Sequence, residues 1–156
     1  MLRAEMRFSQ QVHYAICGVF DLAYNGQGER VSIQTISERQ AIPARYLEQI
    51  FQRLRKADLV TSKRGPGGGY ALAREASQIT LREIVEAVEG PLANAHPGGP
   101  RNADLGPAPH RPDFLWAVLA RRLARALDET TLEGLCEEAE RNGVPRTDGD
   151  GPMYFI

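Results

Sequence analysis

The seven residues Lys63-Arg64-Gly65-Pro66-Gly67-Gly68-Gly69 constrain this chain more than any other stretch. Four glycines and a proline cannot sustain a helix, and short β-prone runs at 59–62 and 70–72 flank them. Strand, Gly-rich turn, strand reads as a hairpin. The sequence just before it is of the opposite kind. Over residues 43–57, Leu47, Ile50, Phe51 and Leu54 recur at i, i+3, i+4, i+7, one apolar helical stripe. Arg45, Glu48, Gln49, Gln52, Arg53, Arg55 and Lys56 take the other positions. A helix with a greasy back and a long hydrogen-bonding front therefore runs straight into a hairpin with Lys63 and Arg64 at its tip.

Two helices precede this pair. Ser9 is a plausible cap for a helix over 9–25, where Val12, Ala15, Ile16, Val19, Phe20 and Ala23 keep helical spacing and Asn25-Gly26-Gln27-Gly28 ends it. Ser32 caps a short helix to Gln40, with Ile33 and Ile36 inward, and Pro43 suits the first turn of the next. Beyond the hairpin, Thr80 and Glu83 form a capping box for a helix with Leu81, Ile84, Val85 and Val88 on its apolar face. Residues 90–112 hold six prolines, four glycines and two histidines, which leaves little scope for regular structure. A long helix is expected over 113–127, with Trp116, Leu119, Ala120, Leu123 and Leu127 as its stripe beside Phe114, Leu115 and Val118. Phe114, Leu115, Trp116, Val118, Leu119 and Leu123 are more apolar surface than one neighbouring helix can cover, so a dimer face is expected there. A short helix is expected over 131–140, then a loose tail from Asn142, in which Met153-Tyr154-Phe155-Ile156 is apolar enough to dock.

The expected fold class is mainly α: a winged helix-turn-helix with a small β-hairpin wing, plus a long dimerisation helix. The expected divisions are a DNA-binding domain over 1–90, a Pro/Gly/His sensor loop over 91–112, the dimerisation and short helices over 113–141, and a tail over 142–156.

Charge supports DNA as the partner. The net charge is −1, but residues 39–74 carry eight basic residues against Glu48 and Asp58, or +6, while residues 126–150 carry −6. A near-neutral protein can thus present one strongly basic face. Arg, Gln and Glu on the front of the third helix have the donors and acceptors that read base edges in a major groove. A basic wing suits a phosphate backbone or a narrow minor groove, and glycines let backbone approach phosphate closely. Taken alone, the Gly-rich turn would look the same with no ligand. A nucleotide phosphate loop is excluded, because no Gly-Lys-Ser/Thr follows and a strand comes next. A winged module that binds only protein would not need so much positive charge. No Ser/His/Asp set, paired-carboxylate motif or nucleotide fingerprint points to an enzyme. No apolar run approaches the roughly 20 residues of a membrane span, and the N-terminus shows no apolar leader segment, so a cytoplasmic location is the default expectation.

Longer motifs carry a family resemblance. Tyr46-Leu47-Glu48-Gln49-Ile50-Phe51-Gln52-Arg53-Leu54-Arg55-Lys56-Ala57-Asp58-Leu59-Val60, followed by Arg64-Gly65-Pro66-Gly67-Gly68-Gly69-Tyr70, resembles the IscR/NsrR/CymR-type winged-helix transcriptional regulators. The resemblance continues through Ile79-Thr80-Leu81, Glu83-Ile84-Val85, Ala87-Val88-Glu89-Gly90 and Thr131-Leu132, covering roughly residues 6 to 140. It implies a homodimer on a pseudo-palindromic double-stranded operator, with a long helix crossing the partner subunit. Together with helix position it points to Arg45, Tyr46, Glu48, Gln49, Arg53, Lys63, Arg64, Gly65, Gly67 and Gly68 as DNA-contacting.

Relatives often hold an iron–sulfur cluster on three cysteines in the loop before the long helix. This chain departs there: Cys17 and Cys136 are its two cysteines, and none lies between Glu89 and Asp113. An ordinary three-cysteine cluster is therefore excluded. His110 falls near the expected third cysteine, Asp113 near a position where some relatives place a histidine, and His96 beside the expected first cysteine. Two readings stay open. One is a mixed Cys/His site for a cluster or metal ion, drawn from Cys17, His13, His96 and His110, with His13 and Cys17 sharing one helix face. In the other, Cys17 is a small buried hydrophobe, the histidines lie on surfaces, and the regulator senses a small molecule or protein partner without a cofactor.

Overall fold

A computed structural model describes residues 8–92, 106 and 108–147. The order is α1 (Gln10–Asn25), α2 (Ile33–Gln40), α3 (Ala44–Lys56), β1 (Val60–Lys63), β2 (Gly69–Leu72), a 3₁₀ turn (Ala76–Gln78), α4 (Leu81–Glu89), α5 (Phe114–Asp128) and α6 (Leu132–Arg141).

Local chemistry explains most helix starts. The Ser9 and Ser32 side chains accept from the N–H groups of Val12 and Thr35, satisfying donors that have no partner inside the helix. Thr80 and Glu83 close a full capping box on α4. Two starts have no side-chain cap, and the first also departs from expectation. Pro43 is the N-cap of α3, not its first helical residue, since its ψ of 129° is extended. Asp113 makes no capping bond; its carboxylate takes the Arg111 guanidinium at 2.6 Å instead.

The main core lies between α1, α3 and the hairpin base. Leu47, Ile50, Phe51 and Leu54 of α3 are buried with Ala15, Val19 and Leu22 of α1. Gly18 permits this approach: a Cβ there would lie 2.7 Å from a Phe51 ring carbon. β1 and β2 pair antiparallel, with Val60 opposite Leu72 and Lys63 opposite Gly69. Val31 exchanges two 2.8 Å backbone hydrogen bonds with Tyr70, adding a one-residue third rung at the hairpin base. A second cluster joins Val12, Val85, Leu92, Ala124 and Leu127.

The C-terminal helices diverge. α5 packs on α4 through Ala120, Ala124 and Leu127. The expected stripe therefore divides, with Ala120 and Leu127 buried. Leu119 is exposed, and Trp116 and Leu123 are half-buried, because small alanines allow the close approach to α4. α6 returns to the main core, where Leu132 is fully buried. The turn between them is pinned beside α4 by Leu81 N–H to Thr130 O and Leu132 N–H to Ile79 O. The tail expected to be loose from Asn142 is held through Thr147 by hydrogen bonds to α1. Met153-Tyr154-Phe155-Ile156 lie outside the described residues.

Candidate nucleic-acid interface

α3 is cleanly two-sided. Opposite its buried stripe, Arg45, Tyr46, Glu48, Gln49, Gln52, Arg53, Arg55 and Lys56 are exposed. The first turn is ordered by stacking. The Arg45 guanidinium sits 4.7 Å from the centroid of the Tyr46 ring and donates to its hydroxyl at 2.9 Å. Tyr14 of α1 stacks on Tyr46 with centroids 6.1 Å apart. Gln10, Gln11, Tyr14, Tyr46, Gln49 and Arg53 line a shallow groove between α1 and α3. Tyr14 and the two glutamines are additions to the expected face. Their one sequence signal was an aromatic residue lying off the apolar stripe of α1.

Arg53 stands apart from the other expected contacts. Its Nη1 donates to Gln11 Oε1 at 2.8 Å and to the Val88 carbonyl at 3.3 Å. It braces α3 against α1 and the end of α4 while remaining exposed.

The hairpin tip spans 64–68 and is closed by Gly68 N–H to the Gly65 carbonyl at 2.8 Å. Lys63, Arg64, Gly65 and Gly67 are exposed and Gly68 is half-buried. Gly69 cannot be replaced without disruption. Its φ is +127°, and a Cβ would lie 2.6 Å from the Val31 carbonyl oxygen. Two contacts tie the wing to α3, through Arg55 and Phe51, and a third, from Arg30 ahead of α2, holds its base. Arg55 Nη1 donates to Ser62 Oγ at 3.2 Å, Arg30 Nη1 to the Gly69 carbonyl at 3.4 Å, and Phe51 meets Tyr70 edge-on at 4.9 Å. Helix face and wing tip are thus held as one surface. Among the described residues, no carboxylate lies within ion-pair distance of Arg45, Arg55, Lys56, Lys63 or Arg64. Their charge is free to meet phosphate.

The expected metal donors are scattered. His13 is exposed on α1, and Cys17, one turn on, is half-buried. Burial pushes the Cys17 thiol above its ordinary range, away from the thiolate a metal needs. His110 is exposed ahead of α5, and His96 lies outside the described residues. Cys136 sits on α6, its thiol also raised, chiefly by burial. Among the described residues, no three His, Cys, Asp or Glu side chains stand together as one metal set. With two thiols in the chain, neither on the loop, the donors of one subunit do not fit an iron–sulfur cluster.

No helix among the described residues is long and apolar enough to cross a membrane. Residues 8–138 match the Rrf2 family, described as iron-dependent transcriptional regulators. The chain is 38% identical over 135 residues to the HTH-type transcriptional regulator IscR of Escherichia coli O1:K1 / APEC, covering 86% of this chain and 83% of that one. The T. potens IscR structure matches 90% of this chain and 93% of its own at 33% identity and a TM-score of 0.71. CymR, the global cysteine regulator of B. subtilis, matches 86% and 98% at 30% identity and a TM-score of 0.69. These matches run through α3, the hairpin and the helices that follow, and on that extent the chain belongs to the Rrf2 family of transcriptional regulators.

Proposed function

We propose that this regulator binds a pseudo-palindromic operator in cytoplasmic DNA as a homodimer and has no catalytic role. α3 lies in the major groove and the wing on the neighbouring backbone or minor groove. The carrying observation is the cationic surface shared by α3 and the wing tied to it, whose Arg45, Arg55, Lys56, Lys63 and Arg64 have no carboxylate partner among the described residues. Arg45, Tyr46, Glu48 and Gln49 are the contacts proposed on α3, with Glu48 able to accept from a cytosine amino group. Lys63, Arg64 and the backbone of Gly65, Gly67 and Gly68 serve the wing. Arg53 positions α3 and adds charge at its edge.

Dimerisation through α5 is supported by the way its apolar residues are divided. Alanines face α4, while Phe114 at 72% exposed, Leu115 at 38% and Leu119 at 39% face outward. Bulky apolar groups gathered on one exposed helix face mark an interface. A second copy related by a two-fold axis would cover them and pair the reading helices about one DNA turn apart.

Donor chemistry favours regulation without an iron–sulfur cluster, with the signal a small molecule or protein partner. The competing outcome is a mixed site of Cys17, His13, His96 and His110 contributed by two subunits. Iron and sulfide analysis of protein purified without oxygen, compared with Cys17→Ala, separates the two. Operator binding is tested by fluorescence anisotropy with a duplex that the protein itself selects from a random-sequence library. Affinity that is indifferent to salt and to duplex sequence would overturn the DNA reading.

A further inference from the structure

Past α6 the chain folds back across the C-terminal end of α1. Tyr24, 1% exposed, donates its hydroxyl to the Val144 carbonyl at 2.6 Å. The Arg146 guanidinium lies 4.2 Å from the centroid of the Tyr24 ring and donates to the Tyr24 carbonyl at 3.0 Å. It also pairs with Glu140. α1 has no basic residue in its own last turn, so Arg146 supplies the cation that the carbonyl end of a helix favours. Thr147 N–H donates to Asn25 Oδ1 at 2.9 Å, and Arg39 Nη1 reaches Thr147 Oγ1 at 3.4 Å.

The same two side chains hold a buried carboxylate. Asp21 is fully buried. It accepts from Asn25 Nδ2 at 3.2 Å, Gln40 Nε2 at 2.9 Å, and Arg39 Nε and Nη2 at 3.1 and 2.5 Å. Asn25 can serve Asp21 and Thr147 together in one amide orientation alone, nitrogen inward and oxygen outward. Arg39 and Gln40 are the last residues of α2. They stand directly before the turn that launches α3, whose first turn carries Arg45.

We propose that residues 144–147 form a strap that locks the α2–α3 junction, and that strap docking and DNA binding by α3 favour one another. The coupling rests on the reading of α3 as the DNA-contacting helix. By linkage, a strap that raises affinity for DNA must itself be held more tightly when DNA is bound, by the same factor. A segment whose local opening is independent of α3 would not respond to DNA in this way.

The test uses the full chain, its Tyr24→Phe/Arg146→Met variant, and a duplex selected by the wild-type protein from a random library. Arg146→Met alone, at an exposed residue, serves if the double variant does not fold. Without DNA, hydrogen exchange should quicken in the variant at 24–26 and 36–45 as well as in the strap. With DNA, exchange at the Thr147 amide of the wild type should slow, and the variant should bind about fivefold or more weakly at unchanged dimer mass. Strap exchange indifferent to DNA, with equal affinity in wild type and variant, overturns the proposal while leaving α3 as the DNA reader. Quickened exchange confined to the strap overturns the lock. A wild type that binds no duplex overturns the DNA reading and the coupling together, and is recognised because the failure precedes any substitution.

Discussion

Replacing Arg64 by alanine probes the wing most directly. Arg64 is exposed at the hairpin tip and unpaired among the described residues. Setting aside Arg53, whose guanidinium is occupied by Gln11 and Val88, each subunit presents five such cations on α3 and the wing: Arg45, Arg55, Lys56, Lys63 and Arg64. If all ten in a dimer neutralise phosphates, log K against log salt should slope at about −9, since each contact contributes about −0.9. Arg64→Ala removes two contacts per dimer and should flatten that slope by about 2. The affinity loss should be about 1–3 kcal/mol per wing if the guanidinium also reads a groove, and smaller if it meets the backbone alone. The assay is anisotropy on the selected duplex from about 50 to 200 mM salt, the range over which such contacts separate. Arg141→Ala is the control, because Arg141 lies on α6 and is paired with Glu138. An unchanged slope for Arg64→Ala, or an equal change for Arg141→Ala, would refute the placement of the wing on DNA.

Further outcomes follow from packing and burial. Leu119→Asp puts a charge into the exposed face of α5 and should halve the light-scattering mass from about twice 17.3 kDa at micromolar protein, weakening operator binding in parallel. Asp21→Ala leaves Arg39 without its carboxylate and should cost about 3–5 kcal/mol in urea unfolding, whereas a cost under about 1 kcal/mol would mean water replaces the network. Gly18→Ala crowds the Phe51 ring and should cost about 1–3 kcal/mol by the same measurement. The raised thiols set a pH dependence. The unfolded chain loses these protons before the folded one, so their contribution is complete below the ordinary thiol range and fades as pH rises through it. Alkylation of Cys17 in the folded protein should therefore lag that of an unfolded control at pH 8; equal rates would contradict its burial.

The elements of this protein are legible in its sequence because each is specified by neighbours in the chain. Ser9, Ser32 and the Thr80/Glu83 pair cap their own helices, and the 3.6-residue rhythm of Leu47, Ile50, Phe51 and Leu54 needs no distant partner. The hairpin was equally local, since glycine and proline between β-prone runs exclude other structures. The polar front of α3 follows by default from its buried back. Tertiary structure decided what depends on residues far apart. Arg53 meets Gln11 and Val88, 42 and 35 positions away, and so braces the helix it was expected to arm. On α5 the surplus of apolar surface, Leu119 included, was legible, but the side that meets α4 was not: Ala120, Ala124 and Leu127 are the residues buried there. The strap had no pattern to announce it. Besides the Arg146 side chain, its anchors are a backbone carbonyl at Val144 and a backbone amide at Thr147, groups that nearly every residue possesses. They were selected only when the fold brought a tyrosine hydroxyl and an asparagine carbonyl within reach, about 120 residues away in sequence.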